Sequence, residues 1–197
     1  MMVPQDQSEG TGFVSRWDGD ELTTWISFLF TSRLLIDRLD TDLRRAHGLT
    51  LDEYAVLVAL EAAPDCRVRM NDLAEAAMLS QSRLSQQIKR MQARGLVDRQ
   101  QAATDKRGVE VVLTDNGRRA LLAAAPEHID RVRRHFLRHL STRDRAALTK
   151  SLRPVLDSLA TSPALTRMLD QSYQARPPQR HRAESGTPRR SIEKGPT

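Results

Sequence analysis

The residues of this 197-residue chain whose types and spacing suit them to chemistry are hydrogen-bond donors and cations gathered in one short stretch. Ser80 precedes Gln81, Ser82, Arg83, Ser85, Gln86, Lys89 and Arg90, and Arg99, Asp105, Lys106 and Arg107 follow shortly after. A serine that opens a helix leaves free N–H groups and the positive end of the helix dipole facing outward, which suits a phosphate. Arg can read guanine, and Gln adenine, at the edges of the major groove. In an extended segment Asp105 and Arg107 project to the same side, so the carboxylate can hold the guanidinium while it enters a minor groove. The plainer alternatives are a solvated outer helix face and an exposed ion pair at a hairpin tip worth about 0–1 kcal/mol. DNA contact is the stronger reading, because the second set of charges arrives where a second contact would be required. Lys106 and Arg99 then contact backbone phosphates or simply solubilise the surface.

Overall charge supports this less than its distribution does. Of the formal +6, a net +4 lies in Gln171 to Thr197, where six Lys/Arg face two Glu. Between Ser80 and Gly108 seven Lys/Arg face two Asp, a local +5. The apolar share of 39% and mean hydropathy of −0.52 are low for a chain that is globular throughout, which points to solvated ends. A lone Cys66 excludes an intrachain disulfide framework and agrees with a reducing cytoplasm. The N-terminus has no basic and apolar leader pattern, and no apolar run approaches a membrane span, so a soluble, cytoplasmic protein is expected.

The elements that must position these donors follow from the spacing of apolar residues. Residues 1–19 read as a flexible arm, and 20–48 as a long helix with Trp25, Ile26, Leu29, Ile36, Leu39 and Leu43 on one stripe, ended by His47-Gly48. Thr50 and Glu53 have the spacing of a capping box for a second helix that buries Tyr54, Leu57, Val58 and Leu60 and stops at Pro64. An extended piece around Val68 and Met70 leads to a short third helix capped by Asn71, with Leu73 inward. Ser80 opens the next helix, which buries Leu84, Ile88 and Met91 before a left-handed Gly95. Leu96–Gln100 and Val109–Leu113 read as the two strands of a wing. Thr114 caps a long helix with Leu121, Leu122, Ile129, Val132, Phe136 and Leu140 at its apolar positions, which Pro126 is expected to bend or interrupt. Ser141 and Asp144 resemble a further capping box, for a last helix containing Pro154. The fold class predicted is mainly α with a small two- to three-stranded β wing, a winged helix-turn-helix over 49–114 flanked by N- and C-terminal helices (20–48 and 115–170). A disordered basic tail is expected over 171–197. The flanking helices carry more apolar surface than one small winged domain needs, which predicts a homodimer through them rather than an intrachain bundle on a monomer.

The succession Asn71-Asp72-Leu73-Ala74-Glu75, Leu79-Ser80-Gln81-Ser82-Arg83-Leu84-Ser85, Gly95-Leu96-Val97-Asp98-Arg99, Asp105-Lys106-Arg107-Gly108 and Leu113-Thr114-Asp115-Asn116-Gly117 resembles the MarR family of bacterial regulators over roughly Leu22 to Ala160. The resemblance implies a homodimer on double-stranded DNA at a palindromic operator, a repressor released by a small-molecule effector, and a minor-groove role for the Asp105-x-Arg107 pair. It also implies an aromatic effector in a pocket between the pairing helices and the DNA-binding lobe, for which Trp25, Phe28, Phe30 and Tyr54 are the candidates, although aromatics at helical spacing are more often core.

Other readings find less support. His128, His135 and His139 lie near one helical face, but no Glu or Cys set joins them, and no metal or other cofactor is expected. Cys66 reads as structural. There is no Gly-rich phosphate loop, no His-Glu-x-x-His and no nucleophile–base arrangement, so an enzyme is not expected. The remaining alternative is an architectural or protein-interaction winged-helix module without an effector.

Overall fold

Helix-forming apolar stripes punctuated by strong caps dominate the chain, and the computed structural model follows them. It describes residues 16–102, 105–159 and 166, with the backbone alone at 102 and 105–107. The expected arm up to residue 15 and the expected tail over 171–197 lie outside the described residues. In chain order the elements are α1 (Gly19–His47), α2 (Leu51–Glu61), a 3-10 turn (Pro64–Cys66), β1 (Arg67–Arg69), α3 (Met70–Ala76), α4 (Gln81–Ala93), β2 (Val97–Ala102), β3 (Asp105–Leu113), α5 (Asp115–His135), a second 3-10 turn (Leu137–His139) and α6 (Thr142–Leu159). None of the described helices is long and apolar enough to cross a membrane.

The caps are local and act as expected. Thr50 Oγ1 accepts the Glu53 N–H at 3.0 Å while Glu53 accepts the Thr50 N–H at 2.9 Å. Thr114 Oγ1 accepts from Gly117 N–H at 3.0 Å, and Ser141 and Asp144 close the last box. Gly48 ends α1 in the left-handed region, its N–H on the Arg44 carbonyl. The sheet is antiparallel in the order β1-β3-β2, with Val68 opposite Val111 and Arg99 opposite Val111 on the other side. A register irregularity at Gln101/Ala102 marks the wing tip.

The core gathers Leu43 and Leu49, Val56, Leu57 and Leu60 of α2, Leu73, then Leu84, Ile88 and Met91 of α4, Val97, Val111, Leu121 and Ala124. Each fully buried Leu, Ile or Met side chain contributes about 1.5–3 kcal/mol. Two elements are left out of it. No residue of α6 is buried, and the first half of α1 exposes Trp25, Ile26, Phe28, Leu29, Phe30 and Leu34.

Four expectations are corrected. Val58 is exposed, because the buried stripe of α2 runs through Glu53, Val56, Leu57 and Leu60 and turns Val58 away. Asn71 does not cap α3; Arg69 occupies that position, since its pairing with Glu110 in the sheet holds it extended and makes Met70 the first helical residue. Pro126 does not interrupt α5, which continues through it to His135. The carbonyl that Pro126 leaves without its helical donor belongs to Leu122, a residue on the exposed face of the helix. The long helix also ends earlier than its apolar spacing suggests, at His135, with Phe136 leaving helical geometry.

The lower half of α1 packs on α5 through charge as well as apolar contact. Buried Asp42 meets His135 at 3.0 Å and lies within 4 Å of Arg38 and Arg131. Glu127, held below the usual carboxylate range by the Arg131 guanidinium beside it, also meets His47. His128 is different: its ring packs against Tyr54 with centroids 4.5 Å apart and the planes tilted by 42°, its Nδ1 is buried without a hydrogen-bond partner, and burial pushes its pKa below the ordinary 6.5. Protonation would create an unpaired buried N–H. The neutral ring therefore contributes stability that is present above about pH 6.5 and is lost as the pH falls through the folded-state pKa. His128→Phe keeps the ring packing, so the fall in Tm between about pH 7 and 5 is expected to be shallower in that variant. An identical pH profile for the two proteins would show that His128 does not titrate against the core.

Candidate nucleic-acid interface

The helix α4 has three distinct sides, set by its sequence. Leu84, Ile88 and Met91 point into the core with essentially no exposure. Ser80, Gln81, Ser82, Arg83, Ser85, Gln86, Lys89 and Arg90, the proposed readers of DNA, are all exposed. The helix opens with Ser80 Oγ accepting the Arg83 N–H at 3.3 Å, which leaves other first-turn N–H groups outward. It closes at Gly95, whose φ of +67° only glycine adopts without strain.

One flank of α4 faces the wing. There an open groove of about 710 Å³ is lined by Gln81, Ser82 and Ser85, by Arg99, Gly108 and Val109 of the sheet, and by Arg69, Asn71 and Asp72 at the start of α3. Sequence reasoning missed Arg69 and Asn71 as groove residues. The signal available was the short basic strand Arg67-Val68-Arg69, which pairing with β3 brings beside the wing. Asp105, Lys106 and Arg107 belong to the backbone of β3, and their side chains lie outside the described residues.

The other flank of α4 faces α1 and α2. Arg83 Nε and Nη2 donate to Asp52 Oδ2 at 2.9 and 2.7 Å. Gln87 Nε2 donates to Thr50 Oγ1 at 3.3 Å, and Arg90 donates to Gln87. Arg94 Nη1 donates to both oxygens of buried Glu53 at 3.0 and 3.1 Å, and its Nη2 to the Gly48 carbonyl. These pairs border an open cleft of about 850 Å³, lined also by Arg33, Ile36, Asp40 and Arg44.

The junction between α4 and α5 is closely locked. Thr114 Oγ1 donates to the Gly95 carbonyl at 2.7 Å and Asn116 Nδ2 to the Arg94 carbonyl at 3.3 Å. Gly117 sits so near that a Cβ built on it would lie 2.0 Å from the Leu96 carbonyl oxygen.

The aromatic candidates are not brought together within one chain. Trp25, Phe28 and Phe30 are exposed on the first half of α1, whereas Tyr54 is half-buried against His128. Neither groove is lined by any of the four. The three histidines have separate partners: Tyr54 for His128, Asp42 for His135 and Arg138 for His139. Among the described residues no group of three or more His, Cys, Asp and Glu is placed to hold a metal ion. Cys66 Sγ accepts from Arg118 Nη2 at 2.8 Å, within a positive-φ turn beside Glu61.

Comparison with known proteins agrees with this architecture. The pattern of the MarR family matches residues 47–108, the stretch from the end of α1 to the wing. The transcriptional regulator HosA of Escherichia coli is 34% identical over 110 residues, covering 56% of this chain and 79% of HosA. The crystal structure of AbsC, a MarR family transcriptional regulator from Streptomyces coelicolor, is 40% identical with a TM-score of 0.70, covering 74% of this chain and 98% of AbsC. Sco3205 from the same organism, a MarR family transcriptional regulator solved in complex with DNA, is 35% identical with a TM-score of 0.71, covering 74% of this chain and 91% of Sco3205. With its winged helix-turn-helix and these relatives, the chain belongs to the MarR family: it is a DNA-binding transcriptional regulator and not an enzyme.

Proposed function

We propose that the protein acts as a homodimer on a palindromic operator in double-stranded DNA, as a repressor released by a small aromatic effector. The observation that carries this reading is the exposed donor row of α4 beside the Arg69/Arg99 groove. One helix face and one basic groove side by side fit a major groove and the phosphates next to it. Residues 49–114 form the reading unit, and 20–48 with 115–159 the pairing unit. Pairing is supported by the apolar side chains that the chain leaves uncovered on α1, α5 and α6, among them Phe30, Leu34, Leu122, Val155 and Leu159. A two-fold axis through them sets two copies of α4 about one DNA turn (~34 Å) apart. The exposed aromatics Trp25, Phe28 and Phe30 supply an apolar surface for an aromatic ligand once a second protomer closes over them. A ligand held there changes the spacing of the reading helices and releases the operator.

The test is titration of the full chain against its operator and against random duplex over a range of salt. A regulator retains a specificity ratio of about 10³ or more, whereas a similar affinity for both duplexes would mark an architectural binder. In the same assay Arg107→Ala is expected to weaken operator binding by about 5- to 150-fold without changing the dimer in sedimentation. Unchanged affinity at fixed salt would remove the wing from the interface.

A further inference from the structure

The pair between Arg83 and Asp52 joins the third residue of the reading helix to the first turn of a helix 31 residues earlier in the chain. Both Nε and Nη2 of Arg83 meet a single oxygen of Asp52. This occupies one edge of the planar guanidinium. The edge formed by Nη1 and the second hydrogen of Nη2 is taken up by no other group among the described residues, and it is an edge that can donate two parallel hydrogen bonds to O6 and N7 of guanine.

The position of Asp52 is itself fixed. The Leu51 N–H donates to Asp40 Oδ1 at 2.8 Å, which ties the start of α2 to α1. Further along the same flank, Gln87 bonds to Thr50 and Arg94 to Glu53, so the first turn of α2 runs beside α4 as a rail attached at three points. As a device for stability the pair is weak, since the Arg83 side chain is 64% exposed and exposed ion pairs add little. What it does achieve is restriction of a long, flexible side chain at the N-terminal turn, the part of a reading helix that reaches base edges.

We propose that Asp52 is a specificity-determining positioning residue: it buttresses Arg83 in the orientation that reads one guanine in each operator half-site. The inference rests on the reading that α4 enters the major groove. Held by Asp52, Arg83 meets guanine with little further ordering. Without it, the arginine samples phosphates and other bases, and binding persists with discrimination lost at that position.

The experiment selects preferred sequences for the full-length wild-type protein from a duplex library with a randomised core. It then titrates the selected duplex and its single-base-pair substitutions with wild type, Arg83→Ala, Asp52→Ala, Asp52→Asn and the Asp52→Ala/Arg83→Ala double variant. Wild type is expected to discriminate about 5- to 150-fold at the Arg83 position. Arg83→Ala brings that ratio to near unity. Asp52→Ala and Asp52→Asn reproduce most of the loss at the same base pair, leave the other positions and the Tm unchanged, and have no further effect in the Arg83→Ala background. Retained discrimination in both Asp52 variants would overturn the buttress while leaving the α4 reading intact. Tighter operator binding by Asp52→Ala would overturn it too, by showing that the carboxylate withholds Arg83 from DNA. If the wild-type protein selected no sequence at all, the reading of α4 would fail first.

Discussion

Replacing Gly117 with alanine is expected to lower stability by about 3 kcal/mol or more, and the Tm by roughly 6–12 °C. The added Cβ would stand 2.0 Å from the Leu96 carbonyl oxygen, 2.8 Å from Leu113 Cδ1 and 3.0 Å from the Leu96 carbonyl carbon. Two of these are backbone atoms, so no rotamer change relieves the contact. Leu96 is buried and begins the turn into β2, while Gly117 lies in the first turn of α5, held by its N–H on Thr114. To admit a methyl group, α5 must move off the end of the reading unit and break the bonds of Thr114 to Gly95 and Asn116 to Arg94. Thermal unfolding followed by circular dichroism measures the effect. A Tm within about 2 °C of wild type would mean that the junction yields far more readily than its geometry indicates.

The second large effect concerns pairing. Ile26, Phe30 and Leu34 recur every fourth residue along α1 and are 43%, 58% and 67% exposed. Phe30→Asp/Leu34→Asp places two carboxylates per protomer where the proposed interface needs apolar contact, and burying an unpaired charge is costly. The variant is expected to sediment as a monomer and to bind operator about a thousandfold or more weakly, because each half-site is then held alone. The hydrophobic core spans Leu43 to Ala124 without these residues, so the helical signal should be largely retained. A dimer with full operator affinity would place the interface elsewhere.

Much of this architecture was legible because its determinants are local. Thr50, Ser80, Thr114 and Ser141 cap helices through bonds to residues three positions away, and Gly95 marks a conformation that other residues avoid. Such signals survive without knowledge of the tertiary structure. Asn71 misled because a partner strand about 40 residues distant holds Arg69 extended and starts α3 two residues early. The candidate site was legible as a set of exposed donors, but not as a set of restrained ones. Sequence spacing put Arg83 among the exposed donors of α4, yet nothing near it in the chain announces Asp52, and Glu53 gave no sign that, beyond its cap, it receives Arg94. The aromatic set shows the converse. Trp25, Phe28 and Phe30 share α1 by spacing, whereas Tyr54 belongs with His128, a contact between helices far apart in sequence.

The lock between Gly95, Thr114 and Asn116 also has a kinematic consequence. Its short bonds couple the end of α4 to the beginning of α5, whose 21 residues extend about 31 Å. A tilt of α5 by about 5° about this fulcrum sweeps its far end through about 3 Å. With that end anchored, the same rotation swings the reading unit instead. In the proposed dimer, such a rotation would shift the helical phase of α4 on DNA from a remote end of the molecule, without any refolding between them.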